Sequence, residues 1–469
     1  MRDQILTLSL ALLLTPALAQ TPAPQSGVQP AAAPLTPEKQ IAIADHQRLM
    51  DLLHITALRP GVTQNGTGPN SVNYDESKAN PWPNLPDPLR LNTGKPVTTA
   101  AMWMKQRRPE LVELFDREIL GRVPANVPAV HWNIVSTTPG TEAGVAIVTK
   151  HLTGHVDNSA YPALTVNIEA DLTLPAAATK PVPVVVEITF DAYPAPTPHL
   201  PVANAPDLGS GWKQQVLARG WGYALLYPKS FQADNGAGLT QGIIGLVNHG
   251  QPRKLDDWGA LRAWAWGTSR LLDYLETDKA VDVHHVAIEG HSRFGKTALV
   301  AMAYDPRYAV AYVNSSGAGG ANLARRRFGE QLENIAGTGE YHWMAGNYLK
   351  YAELAPKEVT PADMPVDMHE LIALCAPRPV FIGGGTREGG DGWADVRGTF
   401  IAEEAAGPVY KLLSKKPLSD ENGPVGAFPA VGTALIVGDL GFRQHPGGHT
   451  PLPDYPTFLT FASRYLTQP

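Results

Sequence analysis

The chain has 469 residues, of which 43% are hydrophobic and 17% are charged, and its formal net charge is -6. This composition is typical of a globular enzyme with a sizeable core, and the mildly acidic balance argues against nucleic acid as the main partner. The one cysteine, Cys375, excludes an intramolecular disulfide, and its apolar neighbours predict a buried structural thiol.

The first residues have the pattern of a secretory signal peptide. Arg2 precedes an apolar run over residues 5–14, and residues 17–19 are small residues of the kind that signal peptidase requires. We therefore predict that residues 1–19 are removed and that the mature protein is exported, either periplasmic or secreted. The apolar run is shorter than the ~20 residues that span a bilayer, so we expect no membrane span. Residues 20–36, rich in Pro and Ala, are predicted to be a linker.

From residue 37 to 469 the patterns predict a single domain that opens with an N-terminal wrapping segment. Apolar residues at helical spacing predict two early helices, and alternating runs rich in Val, Ile and Thr predict antiparallel strands. The first helix would bury Ile41, Ile43, Leu49, Leu52 and Leu53. The elements predicted in this half are a helix over 37–58, irregular structure over 64–96, a helix over 98–120 capped by Gly121, and strands over 130–135, 145–152 and 164–174.

The rest of the chain alternates strands with helices. The runs 184–189 and 222–227 are continuously apolar, as in strands buried on both faces of a parallel sheet. The alternation predicts an α/β fold, a three-layer sandwich with a mostly parallel sheet and helices on both faces. The later predicted elements are helices over 257–275, from Gly295, 368–375, 395–413 and 455–466, and strands over 286–289, 309–314, 379–383 and 434–438.

A serine lies where one predicted strand turns directly into a helix. The sequence Gly290-His-Ser-Arg-Phe-Gly295 resembles the nucleophile elbow G-x-S-x-G of α/β-hydrolases, although its second glycine comes one position late. A serine at such a turn projects its hydroxyl beyond the sheet edge, next to the free backbone N–H groups of the helix. Ser292 is therefore the candidate nucleophile.

A serine nucleophile needs a histidine base, which in this fold follows it on a loop after the last strand. The loop 441–449 carries two histidines. We favour His449, because the preceding Pro-Gly-Gly would let it bend back over Ser292, and His445 remains the alternative. His291 neighbours the nucleophile but is expected to point the opposite way.

The third member of such a triad is a carboxylate that orients the histidine. The strand ending at Asn314 is followed by no acid until Glu330, whereas the strand ending at Gly383 is followed by Asp391. Asp391 is the leading candidate. Two other acids nearby have other predicted roles: Asp395 as the N-cap of the next helix and Glu388 as a loop charge.

These motifs, taken together, resemble the glucuronoyl esterases of carbohydrate esterase family 15, of the bacterial type. The resemblance covers roughly residues 70–465, and the G-x-S-R-x-G-K element explains the late glycine as a family trait. The stretches that carry it are Asn73-Tyr-Asp-Glu76, Asn84-Leu-Pro-Asp-Pro88, Asp257-Trp-Gly259, Gly290 to Lys296, Ser316 to Gly320, Arg326 to Glu330, Asp391 to Asp395 and Pro408-Val-Tyr410.

The resemblance implies a role for each matched residue. Ser292 would be the nucleophile and His449 the base, and Arg293 would assist the oxyanion hole through its backbone N–H and its guanidinium. The implied sugar ligands are Lys296 and Glu330 for the ring hydroxyls and Trp393 for the apolar face. The structural alternatives for these three are a lysine on a helix surface, a solvated glutamate and a core tryptophan.

The chain departs from the family pattern at one position. Many family members carry the catalytic Glu directly after the strand that follows the elbow, and this chain has Ser315 there. Other members carry the acid one strand later, at the position that Asp391 matches. The resemblance therefore implies a triad of Ser292, His449 and Asp391, with the acid moved rather than lost.

The implied activity is hydrolysis of the ester between (4-O-methyl)glucuronate of glucuronoxylan and alcohols of lignin, through an acyl-enzyme. Neither a cofactor nor a metal is expected, because no His, Cys and carboxylate cluster has ligand spacing. We expect a monomer that binds a lignin-carbohydrate ester substrate and no nucleic acid. The alternatives are another carbohydrate esterase, such as an acetyl xylan esterase, or a non-catalytic polysaccharide-binding protein.

Overall fold

The computed structural model describes residues 34–64, 67–191, 211–418 and 427–466. The predicted signal peptide and residues 20–33 of the predicted linker lie outside the described residues. From Pro37 onward the chain forms one compact unit.

The described strands form one large sheet and one small one. The strands are β1 (Ala57–Leu58), β2 (Val130–Glu142), β3 (Val145–Val156), β4 (Asn167–Pro175), β5 (Val182–Ile188), β6 (Gly222–Tyr227), β7 (Val281–His291), β8 (Val310–Asn314), β9 (Glu353–Ala355), β10 (Val380–Gly384), β11 (Ala434–Leu435) and β12 (Leu440–Gln444). Strands β1 and β9 pair with each other, and the other ten form a sheet in the order β11-β12-β10-β8-β7-β5-β6-β4-β3-β2.

The centre of the large sheet is parallel and its two ends are antiparallel. Every neighbouring pair from β12 through β10, β8, β7 and β5 to β6 is parallel. Strands β4, β3 and β2 continue the sheet antiparallel on one side, and β11 does so on the other. The parallel strands place the ends of β7, β8, β10 and β12 along one sheet edge, which is where ligands bind in α/β proteins.

Helices cover both faces of this sheet. The described α-helices are α1 (Pro37–Leu52), α2 (Ala100–Met102), α3 (Arg108–Phe115), α4 (Gly211–Leu217), α5 (Gly242–Val247), α6 (Ala260–Leu275), α7 (Arg293–Tyr304), α8 (Leu332–Ala336), α9 (Met368–Cys375), α10 (Val396–Leu412) and α11 (Tyr455–Leu466). Alternate residues of a strand face opposite sides of the sheet. On β5, Val184 and Val186 share one buried cluster with α6, α7 and α9, whereas Val185 shares another with α4 and α11. The predicted three-layer α/β sandwich is confirmed.

The first helix is shorter than predicted and buries a different face. Helix α1 ends at Leu52, and residues 57–58 then pair with β9 instead of continuing the helix. Its buried residues include His46, Leu49 and Met50. Ile41, Ile43 and Leu52, which we expected to be buried, are 41–50% exposed. The apolar spacing was therefore ambiguous between two helix faces.

The last parallel strand was misassigned from the sequence. The predicted strand over 434–438 is the two-residue edge strand β11, and the parallel strand is β12, which we had assigned to a loop. Gly441 within β12 obscured the strand pattern. The structure requires a small residue there, because a Cβ atom on Gly441 would lie 2.7 Å from the Phe461 ring.

Most other elements match their predictions, with boundaries shifted by a few residues. The helix predicted over 98–120 runs from α2 through α3 with two π-helical turns, Trp103–Arg107 and Asp116–Leu120. Cys375 is buried, as expected. Among the described residues no helix is both long and apolar enough to cross a membrane.

Candidate active site

Ser292 lies at a sharp turn between β7 and α7, with a backbone φ of 55° and ψ of -128°. Helix α7 starts at Arg293, two residues earlier than predicted, so Ser292 is its N-cap. A Cβ atom on Gly290 would lie 2.0 Å from the Phe294 carbonyl oxygen, and one on Gly295 would lie 2.7 Å from that of Asn314. Both glycines are therefore needed for the close packing of the turn, and the late position of the second one fits this geometry. A serine held at positive φ is a strained residue of the kind that clusters at functional sites.

His449 is bound to Asp391. Its Nδ1 donates to Asp391 Oδ1 over 2.6 Å, and the Asp391 side chain is fully buried whereas that of His449 is 37% exposed. The other carboxylate oxygen, Oδ2, accepts from the Ser315 hydroxyl at 2.6 Å and from the Gly385 N–H at 2.7 Å. Burial opposes ionisation of Asp391, but the hydrogen bond and charge of His449, with smaller help from Ser315 and Gly385, lower its pKa. The carboxylate is thus kept ionised against the imidazole.

The loops that carry Asp391 and His449 interlock through glycines. The Thr386 N–H donates to the Gly447 carbonyl at 2.9 Å. A Cβ atom on either Gly385 or Gly389 would lie 2.4 Å from the same Gly447 oxygen. The glycine run before Asp391 therefore allows the two backbones to touch, and this contact presents the acid to the histidine.

Ser292 and His449 open onto one cavity of about 200 Å³. Its floor and walls come from the ends of β7, β8 and β10 and from the long segment 317–351. The residues that line it are Ser292, Arg293, Lys296, Ser315, Ser316, Gly317, Glu330, Glu340, Trp343, Trp393, Ala394 and His449. All seven site residues predicted from the sequence contribute to this site, six of them as lining residues and Asp391 behind His449.

The cavity wall contains a buried ion pair. Lys296 Nζ lies 2.8 Å from Glu330 Oε2, and their side chains are only 3% and 7% exposed. The same Glu330 oxygen accepts from the Ala318 N–H at 2.9 Å, and the Glu330 N–H donates to the Trp393 carbonyl at 2.8 Å. Lys296 is therefore no surface lysine and Glu330 no solvated glutamate, because both are held at the cavity wall.

Arg293 is held by an acid that the sequence did not single out. Its guanidinium bonds Asp234 Oδ2 at 2.7 Å and lies 5.2 Å from the Trp343 ring centroid. Asp234 also accepts from His342 Nε2 at 3.0 Å and from Trp343 Nε1 at 2.7 Å. Burial opposes its ionisation, but these two hydrogen bonds and the charge of Arg293 hold the pKa of Asp234 below its usual range.

Comparison with known proteins points to one family. The family model described as glucuronyl esterase, fungi, matches residues 253–414. A carbohydrate esterase from an unknown prokaryotic organism is 33% identical over 430 residues, which are 85% of this chain and 93% of the relative. The 4-O-methyl-glucuronoyl methylesterase of Schizophyllum commune is 27% identical over 340 residues, 70% of this chain and 73% of the relative.

A solved structure gives a still stronger match. The glucuronoyl esterase of carbohydrate esterase family 15 from Teredinibacter turnerae has a TM-score of 0.82 and 45% identity, covering 90% of this chain and 99% of that one. The chain belongs to carbohydrate esterase family 15. The resemblance inferred from the sequence motifs is thereby confirmed.

In this member of carbohydrate esterase family 15, His291 does not point away from the site as we expected. Its ring centroid lies 4.2 Å from that of His449. The expectation was wrong because β7 continues through His291, so that its side chain lies beside the base while Ser292 turns away into the helix. His445 is fully buried within its own loop, where Nδ1 accepts from the Gly447 N–H and Nε2 bonds the Thr450 carbonyl.

The other two acids that follow β10 occupy the places predicted for them. Asp395 is the N-cap of α10, where it accepts from the Gly398 N–H and bonds Arg326. Glu388 is exposed in the loop. Among the described residues no group of three or more His, Cys, Asp and Glu side chains is arranged to hold a metal ion.

The sequence did not single out Glu340, Trp343 and Asp234. Glu340 and Trp343 line the cavity from the segment 317–351, which has no strand or motif that would have indicated them. Burial, together with the charge of nearby Glu330, raises the pKa of Glu340 to about 7. Asp234 could have been found, since it follows the carboxyl end of the parallel strand β6 by a few residues.

Proposed function

We propose that this protein is a serine esterase that hydrolyses the ester between (4-O-methyl)glucuronate of glucuronoxylan and an alcohol of lignin. The observation that carries the proposal is one cavity that holds both Ser292 with the Asp391-bound His449 and the buried Lys296–Glu330 pair. The serine, histidine and aspartate are the groups that cleave an ester, and the lysine–glutamate pair can bind the hydroxyl groups of a sugar acid. Membership of the glucuronoyl esterase family supports the same substrate class.

The proposed reaction begins with attack by Ser292 Oγ on the uronate carbonyl carbon. His449 Nε2 accepts the serine proton and then passes it to the oxygen of the departing alcohol, leaving a glucuronoyl ester on Ser292. A water molecule then attacks the acyl-enzyme, and His449 takes its proton before returning it to Ser292. The ionised Asp391 keeps the proton of His449 on Nδ1 and stabilises the imidazolium that forms in each step.

Arg293 is proposed to stabilise the oxyanion. It is the first residue of α7, so its backbone N–H faces the elbow, and its guanidinium is fixed by Asp234 and Trp343. A donor that is fixed before the reaction stabilises the developing negative charge without reorganising, and removal of one such donor costs about 10²–10³ in kcat.

Lys296 and Glu330 are proposed to bind hydroxyl groups of the uronate ring. A buried ammonium and a buried carboxylate provide a donor and an acceptor side by side, which a vicinal diol satisfies. Trp393, which lines the cavity next to Glu330, offers an apolar face to the ring. A substrate without these hydroxyls would leave the buried pair poorly solvated, so the site should discriminate against simple esters.

The test compares two esters. The methyl ester of 4-O-methylglucuronate should be hydrolysed with a much higher kcat/KM than acetylated xylan, and Ser292→Ala should abolish that activity while keeping the folded far-UV signal. Dominant release of acetate would instead identify an acetyl xylan esterase. Retention on xylan without hydrolysis of either ester would identify a polysaccharide-binding protein.

We further propose that the protein is exported and acts as a monomer. The basis for export is the signal-like sequence of residues 1–19. N-terminal sequencing of the protein recovered outside the cytoplasm should start at Gln20, and a start at Met1 would contradict the proposal. Light scattering of the mature protein should give the mass of one chain.

A further inference from the structure

Ser315 is a strained residue in contact with the proposed triad. It follows β8 directly and has a backbone φ of 44°, in the left-handed region that a residue with a Cβ atom rarely adopts. Its side chain is buried, and its N–H donates to the Gly383 carbonyl at 2.9 Å. Such strain persists only where the surroundings impose it and often has a function.

The strained backbone places the Ser315 hydroxyl on the acid. Its Oγ lies 2.6 Å from Asp391 Oδ2, which also accepts from the Gly385 N–H. Because a carboxylate only accepts, the hydroxyl donates, and Oδ2 receives two donors while Oδ1 is left for His449. A glycine at 315 would relieve the strain but could not supply this hydrogen bond.

We propose that Ser315 is a positioning residue that fixes the orientation and ionisation of Asp391 for its work on His449. The inference rests on the proposed function, in which Asp391 serves the histidine base. The contact at Oδ2 prevents the carboxylate from rotating, so that Oδ1 stays aimed at His449 Nδ1. Hydrogen bonding to the charged form also favours that form in a buried site, in line with the lowered pKa of Asp391.

The titratable groups around Asp391 come from several elements. His449 and His445 face it from the loop after β12, His291 from the end of β7, and Asp454 from the turn before α11. Loss of the Ser315 hydroxyl leaves these groups in place. A change in the pH profile of a Ser315 variant would therefore report on the lost donor.

The experiment uses two substitutions at Ser315 in the mature protein, with the glucuronate methyl ester as substrate. Ser315→Ala and Ser315→Gly should each lower kcat by about ten-fold with KM changed less than about two-fold, because a charge-assisted hydrogen bond that orients the base is lost. The acid limb of kcat should move to higher pH in both variants, since Asp391 would protonate more easily. Ser315→Gly should have a melting temperature above that of Ser315→Ala, because glycine tolerates the positive φ and both variants lose the same hydrogen bond.

Ser414→Gly is the matched control. Ser414 has a φ of 59° but is exposed at the end of α10, so glycine there should relieve similar strain without changing kcat. The inference is overturned if both Ser315 variants keep wild-type kcat, or if Ser315→Ala loses activity that Ser315→Gly retains. In either case an active wild type and an inactive Ser292→Ala would leave the proposed function intact, whereas an inactive wild type would overturn that function itself.

Discussion

The imidazole rings of His291 and His449 lie 4.2 Å apart, tilted by 55°. The protonation of His291 is fixed by a chain of hydrogen bonds. The Tyr312 hydroxyl donates to the Pro451 carbonyl and so accepts from the Asn314 amide, which turns the Asn314 oxygen towards His291 Nδ1. His291 therefore carries a proton on Nδ1 and lies directly beside the proposed base.

Neutral His291 should make the fold sensitive to acid. Burial, followed by the charge of His449, lowers the pKa of His291 from 6.5 to about 3. Between pH 6.5 and pH 3 this histidine is protonated in the unfolded chain but not in the folded one. The free energy of unfolding therefore falls as the pH falls, by about 1.4 kcal/mol per pH unit. When the pH is lowered from 7 to 5, the free energy of unfolding should fall in both proteins. The fall should be about 2 kcal/mol smaller in His291→Gln than in the wild type, as measured by urea titration at each pH.

His131→Gln serves as the control for this measurement. His131 is exposed on β2, so its replacement removes a histidine without removing the buried ring of His291. Equal losses in the wild type and His291→Gln would show that His291 is not a neutral buried group.

The placement of the acid is tested by Asp391→Asn. The Asn oxygen would keep the donors Ser315 and Gly385, so its NH₂ group would face His449 and force the proton onto Nε2, where it blocks acceptance from Ser292. We expect kcat to fall by about three to four orders of magnitude with the fold intact. The exposed Glu388 provides the matched control, and Glu388→Gln should be fully active; comparable loss in Glu388→Gln or Asp395→Asn would refute the placement of the acid.

The interlocked loops give a further prediction about the position of the acid. Gly389→Ala would place a methyl group 2.4 Å from the Gly447 oxygen and push apart the loops of Asp391 and His449. Because catalysis depends on sub-ångström alignment of the pair, kcat should fall at least about ten-fold. Gly68→Ala is the control, since nothing lies within 4 Å of a Cβ atom there. A normal kcat in Gly389→Ala would mean that the loop contact does not position the acid.

Substitutions in the buried Lys296–Glu330 pair can distinguish its contribution to protein stability from its contribution to substrate binding. Lys296→Met should destabilise the protein by about 3–5 kcal/mol, because it leaves the Glu330 charge buried without its partner. Lys296→Met combined with Glu330→Gln should recover most of this loss in urea unfolding, since no unpaired charge remains. Its KM for the glucuronate ester should nevertheless stay raised. A double variant with normal KM would show that the pair is structural and does not bind the sugar.

The parts of the site that could be predicted from the sequence are those set by local pattern and chain order. Strand β7, Ser292 and α7 form one continuous signal, and a histidine after the last strand and an acid after an earlier one follow from the topology. The orientation of His291 depended on where β7 ends, which the short apolar run 286–289 did not reveal.

What could not be predicted was set by contacts between distant segments. The place of Asp234 after β6 could have been found, but its role depends on contacts with Arg293 and Trp343, which are separated from it by 59 and 109 positions. Strand β12 was missed because Gly441 has a low strand propensity. A glycine is present there because of its close contact with Phe461. The contact between Ser315 and Asp391 likewise joins residues 76 positions apart.

The division of the cavity between strand ends and the segment 317–351 has an evolutionary consequence. The nucleophile, acid and base are anchored on the sheet, whereas Glu330, Glu340 and Trp343 belong to one continuous segment. Changes in that segment could alter which acyl group is accepted without rebuilding the reaction machinery. Exchange of this contiguous stretch of about 35 residues would replace Glu330 but leave Lys296 and Trp393 in place, so it would change part of the sugar site while the scaffold persists.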